Sequence, residues 1–179
     1  MSQVTASGPQ SVLSGKPLRL IAAAILLLFI VARCSDGPLA MIAGGPLTSG
    51  EMVASEGVDF AFAEEIDTIE FQLLEPPRSR TTWVIFHDGA LFVPAGYMNL
   101  SIWKQWPHEA AADGRAIARI EGIRYPFRME RVEDRKTWQR VGQLAAKKYG
   151  FGDADPNAVP GSDDWDRFWV FRLAPRALP

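Results

Sequence analysis

Apolar and polar positions fall into distinct rhythms along this chain. Leu20 to Ala32 is an unbroken apolar run of 13 residues, preceded by Lys16 and Arg19 and closed by Arg33. From Thr68 the period drops to two: Ile69, Phe71 and Leu73 share one face until Glu75-Pro76-Pro77 stops the strand. Thr81 to Asp88 is rich in β-branched and aromatic residues. Asp88-Gly89 then predicts a two-residue type I′ hairpin, which needs positive φ at both central positions, and Ala90 to Tyr97 returns. Arg115 to Glu121 alternates with Ala116, Ala118 and Ile120 on one side, and Gly122 turns the chain. Ile123, Tyr125, Phe127 and Met129 continue that face opposite Arg124, Arg128 and Glu130. Arg167 to Leu173 supplies a last strand.

Helical spacing appears in two other places. Trp103, Trp106 and Ala110 fall on one face of a short helix between Ile102 and Asp113, and Pro107 must sit in its first turn, so the helix starts near Gln105. Arg135 to Tyr149 is amphipathic, with Trp138, Val141, Leu144 and Ala145 inward and Gly150 as its stop. The expected fold is therefore mainly β with helices (α+β): a small antiparallel split β-barrel with flanking helices, preceded by an N-terminal hydrophobic helix. The expected organisation is a polar tail over 1–17, an anchor or signal-like helix over 18–34, a linker and lead-in over 35–66, and the barrel domain over 67–179. The lead-in is marked by Gly37-Pro38, Gly44-Gly45-Pro46, Gly50 and Gly57. Residues 151–166, with two prolines and five acids, form a loop.

The apolar run bears on location. As a helix, its 13 residues span about 20 Å, less than the roughly 30 Å hydrocarbon core. A basic leader before an apolar stretch suits a secretory signal, and Cys34 just after it is similar to a lipoprotein signal, but Arg33 stands where a small residue is wanted. We expect an uncleaved membrane anchor with Arg19 and Arg33 reaching the two interfaces. Lys16 and Arg19 outweigh Arg33 beside Asp36, so the positive-inside rule puts the globular domain outside the cytoplasm.

Charge and cysteine content remove several classes of function. No acid precedes Asp36, so the chain beyond residue 34 has 19 − 3 = 16 basic against 21 acidic residues, a formal charge of 16 − 21 = −5. Nucleic-acid binding needs clustered Lys and Arg, and this surface lacks them. The single cysteine, Cys34, excludes an internal disulfide, and His87 and His108 alone do not make a zinc site. No phosphate-binding glycine loop, nucleophile elbow or paired-carboxylate motif occurs.

The order of strand, strand, Asp88-Gly89 hairpin, Trp106 helix with Glu109 to Gly114, and the ribbon Arg115 to Tyr125 resembles a known fold. It is similar to the split barrel of the pyridoxamine 5′-phosphate oxidase-like and deazaflavin-dependent nitroreductase superfamily. The resemblance covers about Asp67 to Tyr149, with Arg80-Thr81-Thr82-Trp83-Val84 on the strand before the hairpin. It implies a flavin or deazaflavin at a dimer interface, its phosphate gripped by Arg80 and Thr82 on the strand and by Asn99 and Lys104 on the approach to the helix. Arg and Lys with hydroxyl and amide donors are the groups a phosphate wants. Tyr97, on the barrel rim, is placed to stack on a ring system, and Arg78 beside Arg80 offers a second guanidinium. The cofactor stays open among FMN, deazaflavin and heme. Function stays open between small-molecule redox chemistry and a non-catalytic extracytoplasmic binding or assembly module of the same fold.

Overall fold

The computed structural model describes residues 16–40, 42–96, 98, 104–150 and 165–178. The chain forms two units, residues 1–31 and 32–179. The apolar run lies within helix α1 (Lys16–Cys34), which runs from the first unit into the start of the second and whose leucines and isoleucines are largely exposed. The stretch Pro17–Cys34 has a mean hydropathy of 2.1 over 18 residues, long and apolar enough to cross a membrane; a signal sequence passes the same test.

The second unit is a curled antiparallel sheet with two helices. Its strands are β1 (Thr68–Leu73), β2 (Ser79–Trp83), β3 (Ile85–His87), β4 (Ala90–Ala95), β5 (Arg115–Ile120), β6 (Ile123–Arg131) and β7 (Trp169–Pro175), in the order β2-β1-β5-β6-β7-β4-β3. The two ends of this order are successive stretches of one run of chain. β2 pairs with β1 and β3 pairs with β4, and Val84 joins them. The sheet therefore curls back on itself, and its opening is the place where β2 and β4 part company beyond Val84. This is a split β-barrel of the α+β class.

Ile69, Phe71, Leu73, Ala116, Ala118, Ile120, Tyr125, Phe127, Met129, Phe171 and Leu173 all point into one buried core, as period-two alternation requires. Ile123 departs from the expected pattern. It is 37% exposed because it follows the hairpin tip, where the barrel wall ends. Both hairpin turns take positive φ at both central residues: 50° and 73° at Asp88-Gly89, 49° and 81° at Glu121-Gly122.

Helix α2 (Trp106–Ala112) follows Gln105 with a proline in its first turn. Trp106 anchors it over one end of the barrel, its ring 5.0 Å from that of Phe71 and 5.6 Å from that of Phe171. Trp103 lies outside the described residues. Helix α3 (Arg135–Tyr149) is capped by Asp134, whose carboxylate accepts from the Thr137 amide at 2.8 Å, and stops at Gly150 with φ 61°. Its buried face, Trp138, Val141 and Ala145, forms a second core with Ile85, Phe92 and Val170 on the outside of the barrel.

Residues 35–66 are laid along the sheet rather than free of it. Leu47, Ser55, Phe60 and Ala63 are buried, and Val53 and Arg124 join this stretch to β6 through main-chain bonds. Ser79 Oγ donates to Gly45 O from the outer side of β2.

Candidate functional site

β2 alternates Ser79 against the lead-in with Arg80 and Thr82 on the side of the core. Arg80 lies opposite Phe71 and Thr82 opposite Ile69 in the β1–β2 register. A cationic side chain on an inward face is unusual, and here it is only half-buried because β2 borders the split and Arg80 is near its open end. Burial pulls the Arg80 guanidinium below its ordinary pKa; Glu109 of α2 counters this, and the neighbouring Arg78 adds to it. The Arg80 guanidinium thus feels one carboxylate and a second guanidinium.

Their hydrogen bonds are incomplete. Among the described residues no acceptor reaches Arg80 Nη1 or Arg78 Nε, although both atoms are buried. A buried donor without an acceptor costs about 1–3 kcal/mol, more when charged, so such atoms call for an explanation. An anionic oxygen fits them: guanidinium N–H groups are the natural donors to phosphate or carboxylate.

The other expected residues are placed less uniformly. Lys104 is tied to the end of β4, where its ammonium donates to Gly96 O at 2.6 Å, and burial pulls its pKa below the usual lysine value. It is not among the charges acting on Arg80. Tyr97 and Asn99 lie outside the described residues.

Two hollows lie elsewhere. A cleft of about 360 Å³ on the outer face is lined by His87, Phe92, Glu130, Thr137 and Arg172, at the start of α3. A smaller one, about 240 Å³, lies between Glu64, Phe86, Leu144 and Lys147. Neither is lined by Arg80, Thr82 or Lys104. Among the described residues there is no group of three or more His, Cys, Asp or Glu side chains suited to a metal ion.

In the sequence Glu109 falls within the short helix, and no spacing relates it to Arg80. An acid four residues before Gly-terminated Asp113 carries no special pattern; its effect on the Arg80 charge arises only in the folded chain. Trp169 alternates with Phe171 on the core side of its strand, and its ring lies at the same end of the barrel, 4.9 Å from the His108 ring.

No protein-family model matches this chain, and no curated protein matches it. A solved structure from Listeria innocua, described as a "Putative Pyridoxamine 5′-phosphate oxidase", is similar at 17% identity and a TM-score of 0.47, over 65% of this chain and 90% of that one.

Proposed function

We propose that this chain is a membrane-anchored split-barrel protein that binds an anionic, planar small molecule at the α2 end of the barrel, for small-molecule redox chemistry. The observation that carries the reading is the pair of unpartnered buried donors, Arg80 Nη1 and Arg78 Nε, on neighbouring residues at the start of β2. A phosphate there would receive Arg78 and Arg80, with the Thr82 hydroxyl two residues along on the same face. A flavin, deazaflavin or heme bound in this way would supply the electron or hydride transfer; the chain's own residues would hold its anionic end and shield its ring. By its apolar run and flanking basic residues helix α1 anchors the protein with the barrel outside the cytoplasm, and two copies associate, as the resemblance implies.

The test is the absorption spectrum of full-length protein purified in detergent, followed by thermal shifts with FMN, a deazaflavin and heme. A ligand at 100 times its Kd stabilises by about 2.7 kcal/mol, which is readily measured. A bound chromophore, or a shift that Arg80→Ala abolishes, is the expected result. Colourless protein with no shift from any of the three would sink the reading.

One observation favours the second reading, a binding or assembly module without a cofactor. Lys104, the last of the four expected phosphate ligands, is engaged by a main-chain carbonyl rather than open to a ligand. Under that reading Arg80→Ala together with Lys104→Ala leaves the cellular phenotype intact, whereas removal of residues 1–34 abolishes it.

A further inference from the structure

Trp169 opens β7 on the core side, in step with Phe171 and Leu173, and its indole is held from two directions. The Arg131 guanidinium carbon lies over its face, 3.8 Å from the ring centroid, and the His108 ring meets it in an edge-on contact at 4.9 Å. Despite this clamping, Trp169 Nε1–H is buried and finds no acceptor among the described residues. Buried indole N–H groups ordinarily find a partner.

The position of this donor gives it a meaning. His108 and Glu109 are consecutive in α2; the first touches Trp169 and the second acts on Arg80. The ring contacts bring the donors of β2 and β7 to one end of the barrel: Arg80 lies opposite Phe71, Trp169 lies 6.3 Å from Phe171, and Trp106 of α2 packs between Phe71 and Phe171. The remaining buried, unpartnered side-chain donors among the described residues belong to Arg176, past the far end of β7. Arg80 and Trp169 are each only half-buried, so both keep an edge toward solvent.

We propose that Trp169 Nε1–H is the second recognition point of the ligand site: it donates to a carbonyl or ring-nitrogen acceptor on the planar part of a ligand whose phosphate is held by Arg78 and Arg80. The ligand class is thereby narrowed to phosphate-bearing heteroaromatics with an acceptor at the ring end. Arg131 and His108 are positioning residues that fix the indole. This assignment rests on the anion-binding reading above, and its test separates the two.

Full-length protein, wild type and Trp169→Phe, is titrated with FMN and with inorganic pyrophosphate. Phenylalanine keeps an aromatic ring for Arg131 and His108 but removes the N–H together with part of the indole, so the indole resonance is read beside the affinity. FMN binding to Trp169→Phe weakens about tenfold, the size of one lost hydrogen bond to a ring acceptor, while pyrophosphate binding is unchanged. In the wild type, the Trp169 indole ¹⁵N–H resonance, identified as the one missing from Trp169→Phe, shifts on adding FMN and stays in place with pyrophosphate. Equal FMN affinity in the two proteins, or an unmoved indole resonance, overturns the proposal while the anion site stands. Pyrophosphate binding without FMN binding has the same consequence. If neither probe binds the wild type, both readings fall. Should Trp169→Phe not fold, the wild-type resonance decides alone.

Discussion

The hydroxyl of Tyr149 closes the gap in the sheet at Val84: Val84 N–H donates to it at 3.0 Å, and it lies 2.7 Å from Val84 O and 2.7 Å from Asp67 O, to either of which it can donate. Val84 is the residue at which one run of chain leaves β1 and joins β4, so its main-chain groups fall between two ladders. The last turn of α3 supplies what the ladders do not. Lys148, one residue earlier, donates to Ile66 O at 2.6 Å and to Glu64 O at 2.8 Å, on the chain leading into β1.

Tyr149→Phe should cost about 1–3 kcal/mol, because it strands a Val84 N–H at a fully buried residue. Burial pushes the Tyr149 hydroxyl up to about 12, with Asp67 adding to the shift. The folded state then holds this proton more tightly than the unfolded chain, whose tyrosine titrates near 10. Its contribution is complete below pH 10 and is lost as pH rises toward 12. The stability difference between wild type and Tyr149→Phe, followed by urea unfolding across that window, should shrink with rising pH. A constant difference would show that the hydroxyl is not buried as described.

Asp36 and Arg119 hold the lead-in against the sheet in a comparable way. Arg119, with its side chain 11% exposed, pairs with Asp36 at 2.9 Å and with Glu70 at 2.5 Å. The Asp36 carboxylate also accepts from the Thr48 and Ser49 amides. Hydrogen bonds from Ser49 and Thr48, then one from Arg119, hold this carboxyl well below its ordinary value of 3.8. A depressed carboxyl pKa contributes stability that is present above the unfolded value and is lost as pH falls below it. Asp36→Asn should therefore release residues 35–57 to limited proteolysis at pH 7. The difference from wild type should narrow below about pH 4. Equal protease resistance of the two proteins at neutral pH would refute the assignment.

Gly114 sets how closely α2 approaches the barrel. Its carbonyl accepts from Met129 N–H at 2.7 Å, and a Cβ built on it would overlap the Met129 carbonyl. Gly114→Ala must push the end of α2 away from β6, at a cost of about 1–3 kcal/mol or more by analogy with overpacked cores. Because α2 carries His108 and Glu109, the same substitution should loosen ligand binding. A variant as stable as wild type in thermal melts would mean that the contact is not tight.

Much of this architecture could be read along the chain, and the exceptions share a cause. The strand faces, the two hairpins and α3 are local: period two, Gly at a positive-φ turn position, and Asp134 to Gly150 as cap and stop are each written within a few residues. The division of Thr81 to Asp88 into two strands at Val84 is not local. The β-branched and aromatic pattern runs straight through the break, which depends on β1 and β4 lying apart and on Tyr149 from 65 residues away. Arg80 was legible as a candidate by its type and position in the strand. Its unsatisfied guanidinium, the approach of Glu109 and the unpaired indole of Trp169 depend on where Trp106 seats α2, and no spacing in the chain encodes that. The lead-in lacks any period, so its close packing under Arg119 and Arg124 could not be foreseen.

Arg80 gives the sharpest trade-off between stability and binding. A half-buried guanidinium with an unpartnered Nη1, beside a second arginine, costs the ligand-free protein desolvation and like-charge repulsion that one carboxylate only partly offsets. Replacing such a group by an apolar side chain of similar length removes that cost. Arg80→Met should therefore melt higher than wild type without ligand, by a few degrees for about 1 kcal/mol in a chain of this size. It should also lose the stabilisation given by FMN or pyrophosphate. Arg115→Met is the control: that guanidinium is paired to Asp113 at 2.7 Å on the surface, and its loss should change neither the melting temperature by more than about a degree nor the ligand response. If Arg80→Met melts lower than wild type in the absence of ligand, the arginine is structurally satisfied and the anion site does not exist in the form described.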